Sequence, residues 1–285
     1  MKSLAIGLAS GLGNAVHMLP AIKALKLVGH RIALYVQTDF QTADLWRRCI
    51  YADEILEPPA ALNGYQPICG NWRPPAWKNI AGTMQATLPE IHSCEWRSNF
   101  RLAEQLGWQA GPPDVLDWCR DLDRSKRWDF GIVPGCKGGT WLRKRWPGMA
   151  LVAEHLQGQG YTVAVFGQEG DGVKDIPGQH VKTAQIADLP DAVAGCRVVI
   201  GTDSGLSFLA SSLGIPVVMV YTATSEAKAA PVGPNRQVAL SLSCRPCVST
   251  PQWQQCQNWR CRDIQPGPVI AAAQELFSKD ERRMA

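Results

Sequence analysis

Residues 197–221 read RVVIGTDSGLSFLASSLGIPVVMVY. An apolar run (197–200) is followed by a turn that contains Asp203, a stretch of helix-forming residues (206–213) and a second apolar run (216–221). Two short apolar runs joined by a helix are typical of a β-α-β unit, because neighbouring parallel strands need a crossover connection. This stretch therefore predicts a parallel sheet covered by helices.

The same alternation continues on both sides of this unit. In the first half, strands are predicted at residues 4–8, 31–36 and 54–56, and helices at 15–27, 42–48 and 89–106. In the second half, further strands are predicted at 129–133 and 162–166, and further helices at 147–157, 184–194 and 268–277. A Gly/Pro-marked connection (107–113) separates the two series. We expect an α/β protein with two Rossmann-like, doubly wound domains, residues 1–122 and 123–285, facing each other across a cleft.

Composition excludes several classes of protein. The chain has 285 residues, of which 46% are hydrophobic and 19% charged, so it is not a disordered polypeptide. The longest apolar run, 215–221, is far shorter than the roughly 20 residues that a membrane helix needs, and polar and glycine residues from Gly7 to Asn14 interrupt any signal-peptide core. These features predict a cytoplasmic location.

Positive charge is concentrated in the second half, which carries the whole formal excess of +4. Seven basic residues lie between positions 124 and 145, namely Arg124, Lys126, Arg127, Lys137, Arg143, Lys144 and Arg145. Such density favours a compact anion over an extended nucleic-acid track, so no nucleic-acid partner is expected. A solvated basic face is the alternative.

Three loops that follow predicted strands carry candidate site residues. The first contains Gly11, Gly13 and Asn14, but Val16 stands where a dinucleotide fingerprint needs its third glycine. Such a glycine turn still directs backbone N–H groups toward the cleft. His17 follows one turn later, as either a site residue or a packing histidine.

The other two loops suit a nucleotide diphosphate. Thr140 offers a hydroxyl and Lys144 a positive charge for a diphosphate. Glu169 follows the next strand, where it can accept hydrogen bonds from ribose hydroxyls or be an ordinary loop residue. In the third loop Asp203 can bind sugar hydroxyls. Ser204 and Gly205 can donate N–H bonds to phosphate at a helix N-terminus, although a plain helix cap by Asp203 or Ser204 is the alternative.

Four of the ten cysteines form the pattern C-x2-C-x8-C-x4-C, namely Cys244, Cys247, Cys256 and Cys261. Four thiolates can hold zinc or iron in a closed, structural site. Reduced thiols and disulfides are the alternatives. Two tryptophans, Trp72 and Trp77, lie in a Pro-rich loop of the first half, where they could stack on an acceptor sugar, pack in a core or form an oligomer contact.

In combination the motifs resemble the ADP-heptose heptosyltransferases of glycosyltransferase family 9. The resemblance rests on five segments: Gly-x-Gly13-Asn14-x-x-His17-x-Leu-Pro20, Lys144-Arg-Trp-Pro147, Gly167-x-Glu169, Asp203-Ser-Gly205 and Cys244-Arg-Pro-Cys247. It implies a GT-B fold whose second domain binds most of a nucleotide-sugar donor. It also implies inverting transfer of a heptose to a lipopolysaccharide-core acceptor without a catalytic metal.

The resemblance assigns residues to roles. Thr140 and Lys144 would hold the diphosphate, Glu169 the adenosine ribose and Asp203 the sugar. The amides of Ser204 and Gly205 would hold the phosphates.

Two positions depart from the family pattern. The family's candidate general base is a carboxylate where this chain has Asn14, and Phe208 replaces a histidine. An amide can orient an acceptor hydroxyl but cannot remove its proton, so another group such as His17 would serve as base.

The sequence therefore predicts a heptosyltransferase-like glycosyltransferase, drawn to the inner face of the inner membrane if its acceptor is lipid-linked. One alternative is the same fold acting on another sugar or on a protein acceptor. The other, favoured by Asn14, is a catalytically silent binding or assembly protein. The oligomeric state stays open.

Overall fold

All strands in the described part of the chain lie in one of two parallel sheets. The computed structural model describes residues 1–8, 11–36, 43–58, 60–87, 93–136, 138–248 and 250–284. Within these ranges the strands are β1 (Ser3–Leu8), β2 (Arg31–Val36), β3 (Glu54–Leu56), β4 (Gln66–Cys69), β5 (Met84–Gln85), β6 (Trp128–Val133), β7 (Val163–Phe166), β8 (Gln179–Val181), β9 (Cys196–Thr202), β10 (Val217–Tyr221) and β11 (Asn235–Ala239). The first sheet has the order β3-β2-β1-β4-β5 and the second β11-β10-β9-β6-β7-β8.

The helices alternate with the strands, as the sequence pattern predicts. The described helices are α1 (Leu12–Val16), α2 (Leu19–Leu27), α3 (Ala43–Arg47), α4 (Glu95–Gln105), α5 (Met149–Gly158), α6 (Leu189–Ala194), α7 (Gly205–Ser212), α8 (Pro251–Gln255) and α9 (Pro266–Met284). The central strands β1, β9 and β10 are buried over almost their whole length. Parallel strands with both faces covered by helices show this continuous burial.

Several boundaries differ from the prediction for local physical reasons. The helix predicted at 15–27 is two helices, because the chain turns at His17 and Met18 before α2 begins with Pro20 in its first turn. The helix predicted at 89–106 begins only at Glu95, and residues 89–92 lie outside the described part. The structure adds β4, which contains Pro67, a residue type that argues against a strand.

The core is continuous between the two halves. One cluster of buried apolar side chains includes Leu4 and Ile6 of β1, Trp118 between α4 and β6, and Phe208 and Leu209 of α7. A second cluster lies on the other face of the second sheet, where α5 and α9 pack. The first cluster therefore places α7 of the second half against α1 of the first.

Arg48, at the end of α3, joins the two halves by hydrogen bonds. Its guanidinium donates to both carboxylate oxygens of Asp191 on α6, at 2.7 and 2.9 Å, and to the carbonyls of Arg120 and Asp121 between the sheets. The Arg48 side chain is only 17% exposed, and the contact raises the pKa of its guanidinium. Bidentate pairing of this kind fixes geometry as well as charge.

Replacing Arg48 by alanine is expected to lower the free energy of unfolding by about 2 kcal/mol, because partly buried acceptors lose charge-assisted hydrogen bonds. Chemical denaturation measures this change. The matched control is Arg47→Ala, since Arg47 is about half exposed in its contacts with Asp44 and Glu57 and should cost less than about 1 kcal/mol. Equal losses for both variants would contradict the role given to Arg48.

Within the residues described by the structure, no helix is both long enough and apolar enough to cross a membrane.

Candidate functional site

The loops at the carboxyl ends of the central strands of the second sheet are tied to one another. The hydroxyl of Thr202, at the end of β9, donates to the carbonyl of Gly135 after β6 at 2.8 Å. The hydroxyl of Thr222, after β10, donates to the carbonyl of Lys144 at 3.1 Å. These bonds gather the loops after three neighbouring strands at the edge where open α/β sheets bind ligands.

A buried ion pair lies at this edge. Lys144 Nζ is 2.7 Å from Asp203 Oδ2, and the two side chains are 13% and 8% exposed. Burial raises the pKa of the Asp203 carboxyl, but the charge and hydrogen bond of Lys144, together with smaller effects of other neighbours, leave this pKa below its usual range. Asp203 is therefore an anion at neutral pH, and Lys144 is aimed at the start of α7.

The N-terminus of α7 has no side-chain cap. Ser204 occupies the N-cap position, but its hydroxyl lies 3.2 Å from the Ser207 hydroxyl and makes no bond to the helix amides. The plain capping role considered for Ser204 is therefore not observed. Amides at the first turn of a helix favour an anion.

The glycine loop of the first half contacts α7 directly. A Cβ atom on Gly205 would lie 3.2 Å from the Gly13 amide nitrogen, and one on Gly13 would lie 2.8 Å from the Phe208 ring. Only residues without side chains allow the two backbones to approach so closely. Gly13 thus faces the start of α7, and the neighbouring Asn14 is half-buried.

His17 lies at the same junction of the two halves. Its ring is 1% exposed and packs edge-on against the Phe208 ring, with centroids 4.7 Å apart. Nδ1 is 3.5 Å from Oε2 of Glu95, and neither ring nitrogen makes a hydrogen bond within the described chain. A buried imidazole without hydrogen-bond partners is costly, which points to a ligand group as its partner.

Glu95 is a site residue that the sequence reasoning missed. It begins α4, is 6% exposed, and accepts a hydrogen bond from the Trp72 indole. Burial raises the pKa of this carboxyl, but His17, Trp72 and the Lys228 charge together hold it below the usual range. A carboxylate in the first turn of a helix is common, so no local pattern distinguished this one.

Thr140 and Glu169 lie at the same edge but are open to solvent. Thr140 is exposed in a 3-10 turn (Gly139–Lys144), and Glu169 follows β7, is 76% exposed and pairs with Lys174. Their predicted contacts with the diphosphate and the ribose remain predictions.

The basic residues between positions 124 and 145, whose density favoured a compact anion, do not converge on one site in the described part of the chain. Arg124, Lys126 and Arg127 donate to backbone carbonyls near the junction of the two halves, including those of Leu213 and Ala194. In the 3-10 turn and directly after it, Arg143 donates to the Trp253 carbonyl and Arg145 pairs with Asp171. Among the described residues of this group, Lys144 contacts Asp203. Lys137 lies outside the described residues. Carbonyls and carboxylates of the protein therefore already accept hydrogen bonds from the described members of this group.

The tryptophans separate into two environments. Trp77 is fully buried and packs against Tyr35, with ring centroids 5.2 Å apart, so the acceptor role considered for it is wrong. Trp72 is 48% exposed while its indole nitrogen contacts Glu95. Of these two tryptophans, Trp72 is the one whose side chain is open to solvent, so its predicted contact with an acceptor stays a prediction.

The four clustered cysteines do not form a metal site in the described residues. Cys247 and Cys261 are buried with Trp253, whereas Cys244 is exposed and Cys256 is half-buried. Burial first, and then the neighbouring thiols, raise the pKa of Cys261 to about 11. No group of three or more His, Cys, Asp or Glu side chains in the described ranges is arranged to hold a metal ion. All four are free thiols in this structure.

Comparisons with known proteins agree with this architecture. The model of glycosyltransferase family 9 (heptosyltransferase) matches residues 119–257. Lipooligosaccharide heptosyltransferase 2 of Haemophilus influenzae is 32% identical over 115 residues, which cover 34% of this chain and 32% of that protein. Lipopolysaccharide heptosyltransferase 2 of Salmonella typhimurium is 25% identical over 195 residues, covering 62% of this chain and 54% of that protein. The aligned parts thus span about a third and about half of these curated relatives.

The fold is similar to that of a solved structure. The Escherichia coli ADP-heptose LPS heptosyltransferase II structure superposes with a TM-score of 0.69 at 19% identity, covering 99% of this chain and all of that one. This likeness confirms the predicted GT-B architecture of two facing Rossmann-like halves. The family match covers residues 119–257, just under half of the chain, so this part of the chain is similar to the heptosyltransferases of glycosyltransferase family 9.

Proposed function

We propose that this chain is an inverting glycosyltransferase that transfers a heptose-like sugar from an ADP-linked donor to a lipopolysaccharide-core acceptor. The observation that carries the proposal is the buried Lys144–Asp203 pair beside the uncapped start of α7. The similarity to two heptosyltransferases and to an ADP-heptose LPS heptosyltransferase structure supports this choice of donor and acceptor.

In this proposal the second half binds the donor. Lys144 and the amides of Ser204 and Gly205 contact the diphosphate, while Asp203 accepts hydrogen bonds from the sugar. Thr140 and Glu169, at the same edge, contact the outer phosphate and the ribose. Positive charge and helix amides stabilise the diphosphate as it leaves, since negative charge builds up there in the transition state.

The acceptor reacts at the junction with the first half. Its hydroxyl oxygen attacks the anomeric carbon, and the bond from that carbon to the diphosphate oxygen breaks on the opposite face, which inverts the configuration. The hydroxyl proton passes to His17, whose ring is oriented by Glu95. In this proposal the Asn14 amide orients the hydroxyl, because an amide cannot take the proton. Since His17 and Glu95 are almost completely buried, the acceptor reaches them when the two halves separate.

The mechanism assigns no step to the cysteine group, since no group of three or more possible ligands in the described residues is arranged to hold a metal ion. A second candidate function is a silent binding protein. Asn14 favours it, because this position lacks the carboxylate expected of a base.

Calorimetric titration of the purified protein tests the proposal. We expect ADP and ADP-heptose to bind, UDP- and GDP-linked sugars to bind more weakly, and Asp203→Ala to weaken ADP-heptose binding by more than tenfold. The control is Lys279→Met, an exposed site on α9. If none of these nucleotide sugars bound, the transferase proposal would be wrong. Donor binding without transfer, with transfer gained in Asn14→Asp, would support the silent protein instead.

A further inference from the structure

Two cysteines outside the candidate site face each other across an antiparallel bridge. Cys49 follows α3 in the first half, and Cys119 belongs to the segment that connects the two sheets. The bridge is flanked by two backbone hydrogen bonds of 2.8 Å, from the Ile50 amide to the Trp118 carbonyl and from the Arg120 amide to the Arg48 carbonyl. The two cysteines themselves therefore form the non-hydrogen-bonded pair of the bridge.

This register suits a disulfide. In a non-hydrogen-bonded antiparallel pair the Cα atoms lie about 4.5 Å apart, with both side chains on the same face. Disulfides in proteins join Cα atoms that are about 4.4–6.8 Å apart, so little backbone movement is required. Both thiols are free in the structure. We propose that Cys49 and Cys119 form a reversible disulfide that clips the connecting segment to the first half.

The reaction needs an oxidant of the hydroperoxide class. Cys119, the more exposed of the two at 8%, attacks the peroxide and becomes a sulfenic acid, releasing water (or an alcohol). The Cys49 thiol then displaces hydroxide from that sulfur, which forms the S–S bond and releases a water molecule. Two electrons pass from the thiol pair to the peroxide, and a dithiol reductant reverses the reaction.

Burial makes the two thiols slow to react, and the neighbouring Arg48 contact links their oxidation to the junction of the two halves. Burial raises the pKa of Cys119 to about 11 and that of Cys49 to about 12, so few thiolates exist at neutral pH. The bridge lies next to Arg48, which contacts Asp191 of the second half and the Arg120 carbonyl. A disulfide here therefore fixes the connecting segment beside the contact that joins the two halves.

Peptide mapping of the peroxide-treated, full-length protein tests this proposal. Chymotryptic digestion separates Cys49 from Cys69, because Tyr51 and Tyr65 lie between them. We expect a cross-linked species containing Cys49 and Cys119, lighter by two hydrogen atoms than the two reduced peptides and absent after dithiothreitol. The tryptophan emission should fall at the same time, because the Trp46 and Trp118 rings lie 5.4 Å apart beside the bridge.

Matched variants distinguish this pair from other thiols. Cys49→Ser and Cys119→Ser should each lose the cross-link and the emission change, whereas Cys196→Ser, at another fully buried cysteine, should keep both. If the serine variants fail to fold, peptide mapping of the wild-type protein is sufficient to show whether Cys49 and Cys119 are cross-linked. The proposal would be overturned if, after peroxide treatment and unfolding, an alkylating reagent still modified both Cys49 and Cys119, since both thiols would then have stayed reduced. Disulfides that join either residue to a different cysteine would also overturn it.

Discussion

Replacing Lys144 by methionine is expected to lower the rate of sugar transfer by about 100- to 1000-fold, the usual cost of removing one stabilising group from a leaving diphosphate or oxyanion. Methionine keeps an apolar stem of similar length but removes the ammonium that lies 2.7 Å from Asp203. ADP binding should weaken at the same time, because the charge also contacts the ground-state diphosphate. Calorimetry gives the dissociation constant, and release of ADP from the donor gives the rate.

The Lys144 variant also leaves the Asp203 carboxylate buried without its partner, which can destabilise the protein. The double variant Lys144→Met with Asp203→Asn restores charge balance, so it should fold well and still fail to bind ADP. Lys279→Met removes an exposed lysine from the same half and should behave as the wild type. An unchanged affinity for ADP in a folded Lys144→Met protein would show that the diphosphate lies elsewhere.

Replacing His17 by glutamine is expected to lower kcat by about 100- to 10,000-fold, the range typical of a lost general base. Glutamine keeps polar atoms near Glu95 but has no basic nitrogen. Donor affinity should stay within about twofold, because the donor contacts belong to the second half and the loss is confined to the transition state. Steady-state kinetics, with calorimetry of ADP, separates these two quantities.

Glu95→Gln tests whether the carboxylate orients the imidazole. Its Nδ1 contact of 3.5 Å would lose its charge, so we expect a smaller fall in kcat than for His17→Gln, again without loss of donor binding. The effects of the two substitutions should not add, because both act on the same ring. A His17→Gln enzyme with the wild-type kcat would refute this assignment. A large increase in kcat for Asn14→Asp would indicate that the general base belongs at position 14, in the first glycine loop.

The sequence predicted the elements whose patterns are local. Buried parallel strands such as β9 and β10 are continuous apolar runs, and the helix between them carries its own start and stop signals, so 197–221 matched the structure within two residues. The strands it missed, β4, β5, β8 and β11, are short, and each contains proline or polar residues. Such strands form because a neighbouring strand offers hydrogen bonds, a condition that no local pattern records.

In the candidate site, too, some features follow from local sequence and others depend on tertiary packing. The sequence determined that Lys144 and Asp203 each follow a strand of one parallel sheet, because β-α-β connections bring the carboxyl ends of such strands to one edge. Only the tertiary structure decided that these two residues pair, that Glu95 lies beside His17, and that Cys49 faces Cys119. The paired residues lie 59, 78 and 70 positions apart along the chain. Their distances depend on how helices and halves pack, and packing is set by the whole core at once, so residue type and spacing cannot supply it.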